Sequence, residues 1–533
     1  MITQIDLQNV RLFEGPQTWH FPLSPLTVFC GTNSAGKSTI LKSLLLLCQT
    51  QSAPEEGYRD GRLRLVGPLV DLGSFSSLVS HNENSRDITL GITVFDLLEN
   101  RLLAPIRRAR GPKSSGGRDT QHGYTLNVQF TFGVLKSERK TPVHDLPSVL
   151  SARDSTTTKT KQPFLKEAKF LFKSGDDIDL SWKVSLMIGS IEQGPYEYSM
   201  SIPTDYFTIA QGFNMIDASK EGSHVEVETF MRGLLPAGLW AKARTKKAQE
   251  PDQQDAWSYF PLPPLIRSVV TNLIQDFDRI HYLGPLRSPA KRYYMTNMDS
   301  VPGMDASGDF LPYVLRDQWD REIPYVSPRT RNKMIKGPLH QALNEWMHYI
   351  RTGDVHEDDQ PLNEIGVTSM KDVLLEFTLR SFANEAHALA DSGFGYSQVL
   401  PIVVRGLIAP AGSSIVVEQP ELHLNPALQI RLAEFIASLV TARKRVLLET
   451  HSEHIVNAIR IQAAEEAGKT LAGSCVIYFL DTQSGRPQIR RLEIHSDGTV
   501  PDWPRSFFGE ALSLSARLLK AQDKRRHIPT EKL

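Results

Sequence analysis

The octapeptide Gly31-Thr-Asn-Ser-Ala-Gly36-Lys37-Ser38 constrains this chain more than any other feature. It fits the pattern G-x-x-x-x-G-K-[ST]. Before it lies the apolar run Leu26-Thr-Val-Phe-Cys30, and after it Ile40, Leu41, Leu44, Leu45 and Leu47 recur at helical spacing. Glycines let backbone N–H groups curl around an anion, and a helix N-terminus adds partial positive charge. The spacing therefore predicts a strand, a phosphate-binding loop and a helix. Lys37 is expected to reach the β- and γ-phosphates of a nucleotide, and the Ser38 hydroxyl to bind Mg²⁺.

Two distal elements fit the same chemistry. Ile415-Val-Val-Glu418-Gln419-Pro420-Glu421 is an apolar strand ending in carboxylates. At such a strand end one carboxylate can hold Mg²⁺ through water while a neighbouring group orients an attacking water. Further on, Leu447-Leu-Glu-Thr450-His451-Ser452 ends another strand. His451 there can hydrogen-bond a γ-phosphate, with Ser452 as a helix N-cap. Alone, each also reads as a solvated turn or a cap neighbour. Their order after the phosphate loop, each at a strand's C-terminal end, favours the nucleotide reading. Between the loop and these elements, Asp391-Ser-Gly393-Phe-Gly395-Tyr-Ser397-Gln398 opens a helix. It reads as a second anion-binding element or as a glycine-rich turn with a capping serine.

The 533 residues correspond to roughly three to four domain-sized units. Sixty basic residues balance sixty acidic ones, which excludes a polybasic nucleic-acid coat and leaves only local contacts. Cys30, Cys48 and Cys475 form neither a disulfide framework nor a zinc site, which fits a reducing, cytoplasmic setting. The opening MITQIDLQNV does not read as a leader, and no apolar stretch approaches the ~20 residues of a membrane helix. A soluble protein without membrane contact is expected.

The chain divides by pattern. Residues 1–60 carry the phosphate loop. Residues 61–230 read as an antiparallel β-lobe, from alternating segments such as Ile88–Val94, Tyr124–Phe132, Lys169–Phe172, Asp179–Leu186 and Glu197–Ile202. Polar stretches at Arg107–Gly123 and Ser137–Gln162 predict mobile insertions. Residues 231–370 read as helical, most clearly at Pro263–Phe277 and Gly337–Arg351, with an acidic loop at Asp354–Gln360. Over 371–485, strands Asp372–Arg380, Ser414–Glu418, Val446–Glu449 and Ser474–Leu480 alternate with helices near Tyr396–Ile408, Pro426–Leu439 and Glu453–Ala464. That rhythm predicts a parallel sheet covered by helices. Residues 486–533 read as a small C-terminal domain and tail.

With these residues, the chain resembles the ABC-type ATPases of the SMC, RecF and OLD (overcoming lysogenization defect) group. In particular it is similar to prokaryotic AAA-family ATPases of the RecF/OLD kind that end in a small domain of unknown function. The resemblance covers residues 1–50 and 371–510. It implies an α/β fold with an ABC-type P-loop NTPase core, a parallel sheet with flanking helices, split by the β-lobe and the helical insertion. Gly31–Ser38 is similar to the Walker A motif, with Asn33, Ser34, Ala35, Gly36, Lys37, Ser38 and Thr39 on the nucleotide. Val417–Glu421 with His423-Leu-Asn425-Pro426 resembles the Walker B strand and D-loop. Asp391–Gln398 resembles the signature element, which would offer Gly395, Ser397 and Gln398, and His451 resembles the switch histidine. Leu65–Gly73, His281–Arg287 and Asp502–Phe508 look like family landmarks without assigned chemistry.

The resemblance further implies ATP and Mg²⁺ as cofactors, with Ser38 and Glu418 on the metal and Glu418, Gln419, Glu421 and His451 at the chemistry. It implies a homodimer, or a higher even-numbered oligomer, closed around ATP. Such an ATPase would control a separate effector protein, a nuclease, in anti-phage defence. Two departures stand out. Gln419 occupies the place of the usual glutamate, and an amide cannot act as a general base. Either Glu418 holds Mg²⁺ and Glu421 orients water, or hydrolysis is very slow and ATP serves mainly as a switch; the slow reading is preferred. Asn425 replaces the usual histidine or aspartate of the D-loop but keeps hydrogen-bonding capacity.

Only 82 residues follow His451, and Asp176-Asp177-Ile-Asp179 reads as a solvated turn, so no nuclease activity is expected in this chain itself. The alternative is a RecF-like DNA-binding ATPase in repair. It would contact DNA or RNA through local basic patches: Arg101, Arg107, Arg108, Arg110, Lys113 and Arg118; Lys159, Lys161, Lys166, Lys169 and Lys173; or Lys520, Lys524, Arg525 and Arg526. A transporter motor is disfavoured by the 381 residues between Lys37 and Glu418, and no heptad region supports a coiled-coil arm.

Overall fold

Strands rich in Val, Leu, Ile and Phe without polar alternation must be covered on both faces. That is how the centre of this molecule is built. The computed structural model describes residues 1–52, 61–83, 86–99, 121–134, 163–175, 178–187, 198–203, 219–221, 224–243, 256–295, 306–309, 311–330, 333–355, 364–370, 374–380, 385–391, 394–465, 471–483 and 485–504. Six strands form the central sheet: β1 (Leu26–Gly31), β2 (Ile280–Leu283), β3 (Ser414–Glu418), β4 (Arg445–Glu449), β5 (Cys475–Gln483) and β6 (Arg486–Glu493). Their order is β2-β3-β4-β1-β5-β6. All neighbours run parallel except β5 and β6.

Successive residues of each central strand enter opposite cores. Phe29, Val416, Leu447 and Tyr478 pack toward helices α1 (Lys37–Gln51) and α2 (Pro264–Asp278). Val28, Val417, Leu448 and Ile477 pack toward α3 (Leu339–Thr352), α4 (Phe394–Ile408), α5 (Pro426–Thr441) and α6 (Glu453–Glu465). Asn425 caps α5, its Oδ1 accepting from Leu428 N at 3.0 Å, so the D-loop departure is put to use within the chain. Ser452 caps α6 as expected, its Oγ accepting from Ile455 N at 3.1 Å.

Outside α1 and α2 lies an antiparallel sheet of eleven strands among the described residues. It runs from Ala256–Phe260 through Leu235–Ala243, His224–Arg232, Tyr198–Pro203, Ile178–Leu186, Phe164–Ser174, Gln121–Gly133 and Ile88–Glu99 to Ile2–Gln8 and Trp19–Pro22. Its inner face alternates as the sequence indicated, with Leu126, Val128, Phe130, Phe132, Phe170 and Phe172 buried. On the outer face Lys166 pairs with Asp87, Lys169 and Lys183 with Glu167, and Lys173 with Asp179. The described lysines of that candidate basic patch are therefore ion-paired on the sheet.

Three readings of the sequence need correction. The antiparallel sheet does not stop near residue 230 but continues to Phe260, and it takes in the first two strands of the chain. The stretch 231–370 is not simply helical. It holds α2, α3 and Leu311–Gln318, but also the edge strand β2, the hairpin Glu322–Val326/Met334–Pro338 and strand Ile365–Met370. Four fully buried residues such as Ile280–Leu283 are too short to show a period, which hid β2. Finally, Leu374–Arg380 is not in the parallel sheet. It pairs antiparallel with Ile365–Met370 in a separate four-stranded sheet, as its alternate burial of Leu375, Phe377 and Leu379 requires.

The stretches 107–120 and 137–162, Asp176 and Asp177, most of the 354–360 loop and 505–533 lie outside the described residues. So do the basic patches other than Lys166, Lys169 and Lys173. The three cysteines are buried and unbridged. Among the described residues no helix is long and apolar enough to cross a membrane.

Candidate active site at the strand ends

The loop between β1 and α1 needs its glycines for space as well as for dihedral angles. A Cβ on Gly31 (φ +120°) would lie 1.9 Å from the Leu480 carbonyl oxygen, and one on Gly36 (φ +99°) would strike the Phe13 ring. Ser34 also has positive φ, a conformation costly for a side chain and typical of functional turns. Helix α1 starts at Lys37 with no side-chain cap, which leaves its first N–H groups to an anion. Lys37 folds back over the loop, its Nζ donating to Thr32 O at 2.6 Å and Gly31 O at 3.2 Å. Burial lowers its pKa, opposed by Glu449.

The C-terminal ends of β3 and β4 reach the same place. A cleft of about 630 Å³ is lined by Asn33, Ser34, Gly36, Lys37, Ser38 and Thr39 from the loop, and by Gln419, Glu449 and His451 from the strand ends. That size suits a nucleotide. Ala35 is buried beneath the loop. Gln419 has φ +45° and donates its N–H to Glu449 O at 2.8 Å. His451 is half-buried, and burial with the nearby Lys37 charge lowers its pKa.

Glu418 and Glu421 stand behind this front and are not part of the cleft wall. Glu418 accepts from Tyr282 OH at 3.0 Å, and its main-chain oxygen accepts from Arg287 Nη2 at 2.9 Å. Glu421 accepts from Thr450 Oγ1 at 2.9 Å and from the His451 N–H at 2.6 Å. Burial raises the pKa of both carboxyls. Glu421 thus holds the histidine loop in place through its backbone.

Gly395, Ser397 and Gln398 are not brought to the cleft. Ser397 and Gln398 are buried, and Gln398 Nε2 donates to Arg287 O at 3.3 Å. The phosphate loop and the signature-like turn are therefore separate within one chain.

Sequence reasoning missed several residues. Glu449 is the most important: its Oε1 accepts from Ser38 Oγ at 2.8 Å, its side chain is buried, and its pKa is pushed up to about 7 by burial and by Glu418. Its signal in the sequence is its place as the last residue of an apolar strand, two positions before His451. Arg11 also lines the cleft, with Nη1 3.4 Å from Thr39 Oγ1. The His281–Arg287 landmark gains a role, since Tyr282 and Arg287 hold Glu418.

Family comparisons bear on this core. Residues 4–141 match an AAA domain model, and residues 327–456 match an AAA ATPase domain model. Both segments are thus similar to AAA-type ATPase domains. The matched segments contain the phosphate loop and the Glu418–His451 strand ends that the fold joins. No curated protein matches the chain. Among solved structures, an SMC head bound to the C-winged helix domain of ScpA shares 12% identity, covering 92% of this chain and 98% of that one at a TM-score of 0.37. The SMC head domain of Thermotoga maritima shares 8% identity over 92% and 99%, at 0.34. The Smc head domain with an extended coiled coil, bound to the C-terminal domain of ScpA from Pyrococcus furiosus, shares 9% over 97% and 99%, at 0.35. These likenesses are too distant to carry weight beside the strand order itself.

Proposed function

We propose that this chain is an ABC-type ATP switch: it binds ATP with Mg²⁺ in the cleft, hydrolyses it slowly, and pairs with a second copy around the nucleotide. The observation that carries the reading is the convergence of Lys37, Ser38, Glu449, Gln419 and His451 on one cleft from three separate strand ends. Among the described residues no group of three or more His, Cys, Asp or Glu is arranged to hold a metal alone. The oxygen donors present, the Ser38 hydroxyl and the Glu449 carboxylate at the cleft with the Glu418 carboxylate behind them, fit Mg²⁺ that arrives with phosphates. Bound there, Mg²⁺ would supply positive charge to the β- and γ-phosphates.

The chain's own groups do the rest. Backbone N–H groups of the loop and α1 hold the phosphates, and Lys37 exchanges its loop carbonyls for phosphate oxygens. His451 hydrogen-bonds the γ-phosphate or the attacking water. Gln419 orients water but takes no proton, which supports slow turnover. Because the Gly395–Gln398 turn lies away from the cleft of its own chain, a second copy would have to supply that element. The nuclease effector and the role in anti-phage defence are carried by the motif resemblance alone.

The test is ATP turnover with light scattering. Wild type is expected to hydrolyse ATP slowly and to dimerise when ATP is added, and Lys37→Ala to do neither. Undiminished turnover in Lys37→Ala overturns the site.

A further inference from the structure

We infer that Glu449, at the end of β4, is the carboxylate that holds the nucleotide's divalent cation together with Ser38, and that Glu418 stands one strand behind it. The inference rests on the Mg²⁺–ATP reading of the cleft and deepens it by reassigning the metal side chain. Three observations carry it. Ser38 Oγ donates to Glu449 Oε1 at 2.8 Å, which fixes the hydroxyl proton on the carboxylate and leaves the oxygen lone pairs for a cation. Glu449 Oε2 is buried with no hydrogen-bond partner, in a side chain only 2% exposed that lines the cleft. A buried carboxylate oxygen left without a donor is rare and asks for an unseen partner, and hard oxygen prefers a hard cation.

The third observation concerns the competitor. Glu418 and Glu449 occupy paired register positions on adjacent parallel strands, so they share one face and repel each other. Strand β4 lies directly beside the phosphate-loop strand β1, whereas β3 lies one strand further out. Glu418 already accepts from Tyr282 OH and is absent from the cleft wall. A cation against Ser38 meets Glu449 first, with Glu418 adding negative charge from the second rank. Lys37 is committed to the loop carbonyls and to phosphate, so it does not take that place.

The test is ATP affinity of the full chain by calorimetry, in Mg²⁺ and in EDTA, with Mn²⁺ electron paramagnetic resonance as a direct view of the metal. In wild type, Mg²⁺ is expected to tighten ATP binding and Mn²⁺ to be immobilised with the nucleotide. In Glu449→Gln the Mg²⁺ enhancement should fall at least tenfold and the bound Mn²⁺ signal should weaken, by more than in Glu418→Gln. The Glu449→Gln protein should melt no lower than wild type, because a buried repulsion is removed, and that excludes misfolding as the cause. A Mg²⁺ enhancement that survives in Glu449→Gln, or that falls further in Glu418→Gln, overturns the assignment while leaving ATP binding intact. Failure of wild type to bind ATP in either buffer would instead overturn the parent reading.

Discussion

The front and the rear of the strand ends use the same residue types in opposite ways. At the front, Lys37, Ser38, Glu449 and His451 face a cleft and keep bonding capacity in reserve: Glu449 Oε2 has no donor, and the first turn of α1 has no cap. At the rear, Glu418 is held by the Tyr282 hydroxyl and, through its main-chain oxygen, by Arg287, while Glu421 is held by Thr450 and the His451 N–H. The difference teaches that a carboxylate at a strand end is not by itself a catalytic group. Its partners decide whether it meets a ligand or holds the scaffold.

The comparison can be broken from the rear. Glu421→Ala leaves the Thr450 hydroxyl and the His451 N–H without their acceptor and the buried Arg287 charge with less compensation. A loss of about 3–5 kcal/mol in urea unfolding is expected, of the size seen when a buried charge loses its partner. If Glu421 belonged to the front, turnover would fall with stability unchanged.

A smaller effect comes from His281 in β2, whose Nε2 lies 3.3 Å from Ser413 Oγ. Burial, then the charges of Arg405 and Lys444, push its pKa down from 6.5 to about 4. Between those values the unfolded chain binds a proton that the folded chain refuses. Stability from this group is therefore full above pH 6.5 and is lost as pH falls toward 4. The difference amounts to at most about 3 kcal/mol at 1.36 kcal/mol per pKa unit. Unfolding of wild type and His281→Gln across pH 4–7 should diverge over that window, and parallel curves would remove the assignment.

The smallest effect sharpens the contrast. Tyr282→Phe deletes one hydrogen bond to Glu418 and should cost about 1 kcal/mol in melting experiments. Metal-dependent ATP affinity should fall less than in Glu449→Gln.

The phosphate loop was legible because its physics is local: glycines, a lysine and a helix start within eight residues. The parallel core was legible through the strand–helix rhythm after residue 394. Three features were not. The edge strand β2 is four buried residues long, below the length at which any period appears. Strand Leu374–Arg380 pairs with Ile365–Met370 and not with the parallel sheet, and strand propensity says nothing about pairing partners. Glu449 looked like an ordinary strand terminus, and only the parallel register beside β1 brings it to Ser38. Residues far apart in sequence meet there through topology, which a motif does not encode.

The most direct measurement is a calorimetric titration of ATP into wild type and Lys37→Ala in the presence of Mg²⁺. In the proposed complex Lys37 would donate charge-assisted hydrogen bonds to phosphate, so its loss should weaken binding on the order of 100-fold, or ~3 kcal/mol. Thermal melting of the unliganded proteins should stay alike. Equal ATP affinity in the two proteins would contradict the cleft as the nucleotide site.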